Sequence, residues 1–127
     1  MSVEKNGDTS HAVLVVDDDH SVLVMIAETL RRHGFDVTMA ANGRIGVEHV
    51  RAAPDRFQLI LMDWQMPEMD GLTASRVIRE CAPDAQIVLM SSQNAPTGLD
   101  DSSACEFFPK PFEATDLIDL VVRHLDR

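Results

Sequence analysis

The sequence predicts a doubly wound α/β fold, (βα)5, in which helices cover both faces of a five-stranded parallel sheet. Short β-branched or apolar runs alternate with longer segments of helical period, which is the pattern of repeated βα units. Most runs are almost continuously apolar, as expected of parallel strands covered on both sides. The second run alternates polar with apolar residues, which indicates an edge strand. The predicted strands are Ala12–Val16, Phe35–Met39, Phe57–Met62, Gln86–Met90 and Glu106–Phe108.

Helical periodicity fills the segments between and after these strands. The first helix has one apolar face and stops at Gly34, and Pro54 and Pro83 mark the ends of the next two. The segment Ser92–Cys105 contains a proline, a glycine and two adjacent aspartates but only one large apolar residue, Leu99. A fourth helix there is expected to be short, frayed or absent. The other predicted helices are His20–His33, Gly43–Ala53, Gly71–Cys81 and Ala114–Leu125.

Length and composition indicate one domain in a reducing cytoplasm. The chain has 127 residues, of which 45% are hydrophobic, and this is enough to build one core without disulfide bonds or a structural metal. Residues 1–11 are polar and are expected to form a mobile tail before a domain at residues 12–127; nothing in this tail suits a signal peptide or membrane insertion. The net charge of −10 argues against direct nucleic-acid binding. Cys81 and Cys105 are too few for a disulfide framework.

Charged and hydroxyl side chains are expected at one edge of the sheet, because ligands of open parallel sheets bind outside the carboxyl ends of the strands. Asp19 suits a separate role, as the N-cap of the helix that begins at His20. The residues that follow the first, third, fourth and fifth strands are Asp17, Asp18 and Asp19, then Asp63, Ser91 and Lys110.

Bringing Asp17, Asp18 and Asp63 into one pocket requires a cation. Two like charges about 4 Å apart repel by roughly 4 kcal/mol at an effective dielectric near 20. Hard oxygen donors without a neighbouring His or Cys select Mg²⁺, for which Mn²⁺ can substitute, over zinc. Lys110 would place a charge, and Ser91 a hydroxyl, on phosphoryl oxygens, and a carboxylate can act as a nucleophile. The pocket therefore predicts phosphoryl transfer.

Three motifs resemble the receiver domain of bacterial response regulators, and the likeness runs from Ala12 to Leu125. VLVVDDD (Val13–Asp19) resembles the first strand with its acidic pair, and LILMDWQMPEMDG (Leu59–Gly71) resembles the phosphoacceptor strand and loop. FFPKPF (Phe107–Phe112) resembles the lysine-proline signature. The resemblance implies a flavodoxin-like fold, similar to single-domain chemotaxis-type receivers, in a two-component phosphorelay.

The resemblance also implies the roles of individual residues. Asp63 would accept the phosphoryl group, Asp18 and Asp63 would ligate Mg²⁺ directly, and Asp17 would act mainly through water. The backbone carbonyl of Gln65 would be a third protein ligand. Ser91 matches the switch hydroxyl of the family, with Ser92 as the alternative register.

Four further residues take family roles around this pocket. Phe107 falls at the switch aromatic, and Pro67 and Gly71 would shape the loop after the phosphoacceptor. Pro111 implies a cis peptide bond after Lys110 that aims the lysine.

Partners follow from the same resemblance. A histidine kinase or histidine phosphotransfer protein would supply the phosphoryl group, and the domain would catalyse only its own phosphorylation and slow dephosphorylation. Because no effector domain follows Arg127, contact with a downstream protein is the expected output, unless the chain is part of a longer protein. A monomer and a phosphorylation-dependent dimer both remain open. From Ser91 to Lys110 is 19 positions, a few fewer than is usual in the family, and the shortening falls in the doubtful fourth helix. Because that helix usually forms part of the family's output surface, this surface is expected to be atypical.

Three alternatives compete with this interpretation. A small haloacid-dehalogenase-like phosphatase would use Asp17 as nucleophile in a DxDxS pattern, but such enzymes need a larger chain and DWQMPEMDG stays unexplained. A calcium loop fails because Val22 replaces its turn glycine. A phosphorylation-independent pseudo-receiver would have no physical reason to keep a self-repelling acidic pocket.

Overall fold

The computed structural model describes residues 11–91 and 106–125, and these form a single parallel sheet with helices on both faces. The strand order is β2-β1-β3-β4-β5, so the predicted flavodoxin-like fold is confirmed and the second strand lies at an edge. The strands are β1 (Ala12–Val16), β2 (Asp36–Ala40), β3 (Leu59–Asp63), β4 (Gln86–Ser91) and β5 (Glu106–Pro109). The helices in this part of the chain are α1 (His20–Arg32), α2 (Gly43–Ala52), α3 (Gly71–Cys81) and α4 (Ala114–Leu125). The predicted weak helix over Ser92–Cys105 lies outside the described residues, and so do residues 1–10 of the predicted tail.

Four strands differ slightly from their predicted limits. Phe35 belongs to the turn after α1, because its N–H bonds to the carbonyl of Leu30. Phe57 is buried but precedes β3, which continues instead to Asp63, opposite Met90. β4 and β5 each extend one residue further, so that Ser91 pairs with Pro109. Asp63 and Ser91 are therefore the last residues of their strands rather than the residues after them.

The sheet separates two apolar layers, as the alternation along β1 illustrates. Leu14 and Val16 belong to the layer beneath α2 and α3, whereas Val13 and Val15 belong to the layer beneath α1 and α4. All four side chains are fully buried. A strand with both faces covered holds its register firmly, because a slip of one residue would exchange the two layers.

Side-chain caps begin three helices near the carboxyl edge of the sheet. Asp19 accepts hydrogen bonds from the backbone N–H groups of Ser21 and Val22, as the sequence predicts. Asn42 and Asp70 do the same at the starts of α2 and α3. At the other end of α1, Gly34 follows the helix with φ +89, which confirms the predicted stop.

The edge strand β2 has two charged contacts. The guanidinium of Arg31 donates to the carbonyl oxygen of Val37 at 2.9 Å. Asp36, at the start of the strand, pairs with Arg56 at 3.1 Å. Both contacts tie the edge strand to neighbouring parts of its own chain.

No helix within residues 11–91 and 106–125 is long and apolar enough to cross a membrane.

The central strand should dominate stability. Leu61, which is fully buried in β3, should cost about 2–5 kcal/mol of unfolding free energy when replaced by alanine, because a cavity remains between two covered faces. Met25, which is 41% exposed on α1, should cost less than about 0.5 kcal/mol as the matched Met25→Ala control. Urea unfolding of the two variants and wild type measures the difference; equal losses would contradict the burial pattern.

Candidate functional site

The topology opens a crevice at the carboxyl ends of β1 and β3. From β1 the chain moves outward to β2 and then returns to β3 on the other side of β1. The helices that follow β1 and β3 therefore pack on opposite faces of the sheet. Such a reversal in strand order is where open α/β sheets bind ligands. Asp17 and Asp18 follow β1 directly, and Asp63 ends β3.

Three predicted metal-site residues come together in this crevice. Carboxylate oxygens of Asp17, Asp18 and Asp63 all lie within 4.8 Å of one another. Their exposure differs: Asp17 is fully buried, Asp63 is 7% exposed, and Asp18 faces solvent. The pocket thus has two desolvated carboxylates and one at its open side.

Lys110 reaches into the same pocket from the end of β5. Its Nζ lies 2.7 Å from Oδ2 of Asp17 and 3.3 Å from Oδ1 of Asp63. Its backbone N–H donates to the carbonyl of Ser91 at 2.6 Å, and the predicted cis Lys110–Pro111 bond is present. Burial alone would lower the pKa of Lys110, but the hydrogen bond and charge of Asp17, together with the charge of Asp63, raise it. The lysine therefore enters the site as a cation.

The Asp63 carboxyl is strongly perturbed in this setting. Burial, and then the negative charge of Asp17, raise the pKa of Asp63 from 3.8 to about 7, an effect that Lys110 offsets only in part. One lysine leaves a cluster of three carboxylates with excess negative charge. The pocket is therefore short of positive charge around Asp63.

The donor set fits a small divalent cation. The three carboxylates are hard oxygen ligands on one open crevice, and one of them faces solvent where a cation can enter with waters still bound. Gln65 lies exposed in the loop after Asp63, two residues from the cluster. The charge deficit and the chemistry of the donors both favour Mg²⁺ or Mn²⁺ at this position.

Asp19 shows that the acidic run after β1 is divided between two tasks. Its carboxylate caps α1, and the Ser21 hydroxyl, followed by the Val22 N–H, lowers the pKa of Asp19. Asp17 accepts the N–H of Asp19 at 2.9 Å, which helps to hold the turn between them. Asp17 and Asp18 are thereby left to the pocket.

The two predicted switch residues lie on adjacent strands. Ser91 is buried at the end of β4, and its carbonyl accepts the N–H of Lys110. Phe107 is half-buried in β5, opposite Leu89, and packs against the apolar layer beneath α2 and α3. The alternative hydroxyl, Ser92, lies outside the described residues.

The loop between Asp63 and α3 is tightly closed by its backbone. The N–H of Gly71 donates to the carbonyl of Trp64 at 2.7 Å. A Cβ on Gly71 would collide with the backbone oxygen of Asp63 and lie 2.9 Å from the Cα of Trp64, so the close approach requires glycine. Pro67 is exposed at the turn, and Glu68 after it has φ 72.

Sequence reasoning missed two features of this loop. Asp70 is the N-cap of α3, for which an aspartate directly before an apolar-periodic segment was an available signal. The left-handed backbone of Glu68 had no such signal, because glutamate is not a residue that favours positive φ.

Comparison with known proteins identifies the class to which this fold and site belong. The family model described as "Response regulator receiver domain" matches residues 13–122. The chemotaxis protein CheY of Bacillus subtilis is 34% identical over 122 residues, which cover 92% of this chain and 99% of that protein. The transcriptional regulator NtrC of Azospirillum brasilense is 32% identical over 117 residues, which cover 90% of this chain but only 24% of NtrC.

Solved structures agree with this grouping. The chemotaxis protein CheY4 of Vibrio cholerae superposes with a TM-score of 0.80 at 27% identity, covering 91% of this chain and 98% of that one. A CheY-like receiver domain protein of Methanospirillum hungatei has the same fold, with a TM-score of 0.85 at 21% identity and coverage of 93% and 95%. The chain belongs to the response regulator receiver domain family, the receiving module of two-component signalling.

Asp63→Asn should stabilise the cation-free protein near neutral pH. The pKa of Asp63 is about 7 when folded and 3.8 ordinarily, so the folded state binds more protons between these values and stability falls as pH rises through them. Asparagine removes this loss, and the gain should grow from about pH 4 to about pH 7 to an upper limit of about 4 kcal/mol. Urea unfolding in EDTA at about pH 5 and about pH 8 measures it.

Asp84→Asn is the matched control, since Asp84 is an exposed aspartate outside the pocket. It should change stability little at either pH. A gain from Asp63→Asn that is equal at both pH values would contradict a carboxyl that titrates near neutrality.

Proposed function

We propose that this receiver domain accepts a phosphoryl group on Asp63 in a Mg²⁺-dependent reaction and thereby switches protein-protein contacts. The observation that carries the proposal is the placement of Asp63 at the end of β3, within 4.8 Å of the Asp17 and Asp18 carboxylates and 3.3 Å from the Lys110 ammonium. A histidine kinase or a histidine phosphotransfer protein is the proposed donor. The family membership of the chain supports both partners.

In the proposed reaction, an Oδ of ionised Asp63 attacks the phosphorus of a phosphohistidine. The new O–P bond forms as the P–N bond breaks, and the electron pair returns to the imidazole of the donor. Asp18, Asp63 and the backbone carbonyl of Gln65 would hold Mg²⁺ directly, and Asp17 through water. Bound there, the cation would supply Lewis-acid charge for the phosphoryl oxygens and would favour the ionised form of Asp63.

Lys110 and Ser91 are proposed to stabilise the transferred group. The ammonium of Lys110 is already charged and already within 3.3 Å of Asp63, so a short movement brings it onto a phosphoryl oxygen. The Ser91 hydroxyl, at the end of the neighbouring strand, would donate to another oxygen. Phe107 would then follow Ser91 inward, which carries the chemical change to the surface.

The domain bounds, the cellular location and the oligomeric state of the protein are proposed as well. One receiver domain at residues 12–127 is proposed, and the family match at 13–122 supports it. A cytoplasmic location and the absence of direct nucleic-acid contact are proposed from family membership and from the net charge of −10. The domain is proposed to catalyse only its own phosphorylation and dephosphorylation, as a monomer or as a dimer that forms on phosphorylation.

The geometry favours Asp63 over Asp17 as the nucleophile. Asp17 is fully buried, and its two carboxylate oxygens accept hydrogen bonds from the Lys110 ammonium and from the Asp19 N–H. Both oxygens therefore already have partners. The phosphatase alternative, which needs Asp17 as nucleophile, is therefore disfavoured. A pseudo-receiver is disfavoured as well, because the acidic cluster is assembled with its lysine.

Acetyl phosphate with Mg²⁺ tests the proposal directly. The wild-type protein should acquire one phosphoryl group on Asp63, and Asp63→Asn should acquire none. Mass spectrometry of the intact protein and of its peptides gives the site. Asp17→Asn should slow the reaction without moving the site; a modification that persists in Asp63→Asn would show that the nucleophile lies elsewhere.

Lys110→Met should slow phosphorylation from acetyl phosphate by about 100-fold or more, the usual loss when one preorganised donor to a developing charge is removed. Circular dichroism establishes that the variant is folded at the assay temperature. Lys5, the other lysine of the chain, provides the matched control Lys5→Met, which should react like wild type. Equal rates for the two variants would remove Lys110 from the proposed reaction.

A further inference from the structure

The first residue of α2 touches the loop that follows the phosphoacceptor strand. Gly43 is buried, and a Cβ built on it would lie 2.8 Å from the backbone oxygen of Met69 and 3.4 Å from the Met66 methyl. The next residue, Arg44, approaches Glu68 at 4.0 Å. The start of helix α2 therefore packs against the far side of this loop.

Helix α2 is the more firmly held partner of this contact. On one side, Asn42 caps α2 by accepting a 2.8 Å hydrogen bond from the N–H of Ile45, and Val47 anchors the start of the helix in the apolar layer. On the other side, the N–H of Met69 donates to the carbonyl of Pro67 at 2.8 Å. The atom that a side chain at position 43 would meet is a backbone oxygen, so no rotamer change relieves the contact.

We propose that Gly43 is a positioning residue for the metal-binding loop. This inference rests on the proposed function. The loop runs from Trp64 to Asp70 and contains Gln65, whose carbonyl is the proposed third ligand. Gly71 allows the end of the loop to lie against Asp63, and Gly43 allows its far side to lie against α2. The loop therefore lies between two positions at which a Cβ does not fit. Displacement of the far side shifts the Gln65 carbonyl relative to the carboxylates.

Helix propensity alone predicts the opposite effect of an alanine at position 43. In an ordinary helix, alanine is favoured over glycine, so Gly43→Ala would stabilise a helix that had nothing packed against its start. A contact of 2.8 Å with a backbone oxygen requires something to shift. The loop, which lies outside the helices and strands, yields before α2 does.

Mg²⁺ titration and amide exchange of Gly43→Ala test the proposal. Calorimetric titration with MgCl2 should show affinity reduced by about 10-fold, the lower end of the loss expected when a group that orients a metal ligand is disturbed. Hydrogen exchange of the backbone amides from Trp64 to Asp70, measured without a divalent cation, should become faster. Val50→Ala, a buried substitution at the opposite end of α2, is the matched control.

The control separates positioning from general destabilisation. Val50→Ala should lower global stability while leaving both Mg²⁺ affinity and exchange of the loop close to wild type. Equal losses of affinity in the two variants would overturn the proposal, as would wild-type affinity in Gly43→Ala. If wild type itself binds no Mg²⁺, the proposed function fails, whereas the exchange data still decide whether Gly43 holds the loop.

Discussion

The Lys110 ammonium is the interaction on which the acidic pocket depends. It lies 2.7 Å from Asp17, which is fully buried, and 3.3 Å from Asp63. Without a partner, a charge as buried as that of Asp17 would cost several kcal/mol, on the order of the penalty for breaking a buried ion pair. The lysine makes the cluster possible, but it leaves excess negative charge. The excess charge lies where a divalent cation is proposed to bind.

Aspartates in this small region behave in opposite ways because their surroundings differ. At Asp63, burial and the charge of Asp17 raise the pKa, whereas at Asp19 the hydrogen bonds of the Ser21 hydroxyl and the Val22 N–H lower it. The run of three aspartates after β1 is therefore not one acidic patch. Asp19 begins a helix, Asp17 anchors the lysine, and Asp18 stays at the open side.

The fold and the membership of the pocket could be predicted from the sequence because strongly local signals determine them. Apolar runs locate the strands, and parallel topology carries the residues at their ends to one edge. The detailed pairing could not be predicted. The role of Lys110 at a phosphoryl oxygen stays a prediction, and its 2.7 Å contact with Asp17 was not foreseen because it depends on which carboxylate the folded chain buries. The close approach of Gly43 to Met69 is equally tertiary, since it joins residues from different βα units.

The Arg31 contact on the outer edge of β2 has a consequence for contacts with other molecules. An exposed edge strand is a template on which another chain can add a strand, and cationic side chains are a common protection. A second molecule pairing here would have to displace the Arg31 guanidinium from the Val37 carbonyl. Sheet extension across this edge is thereby discouraged.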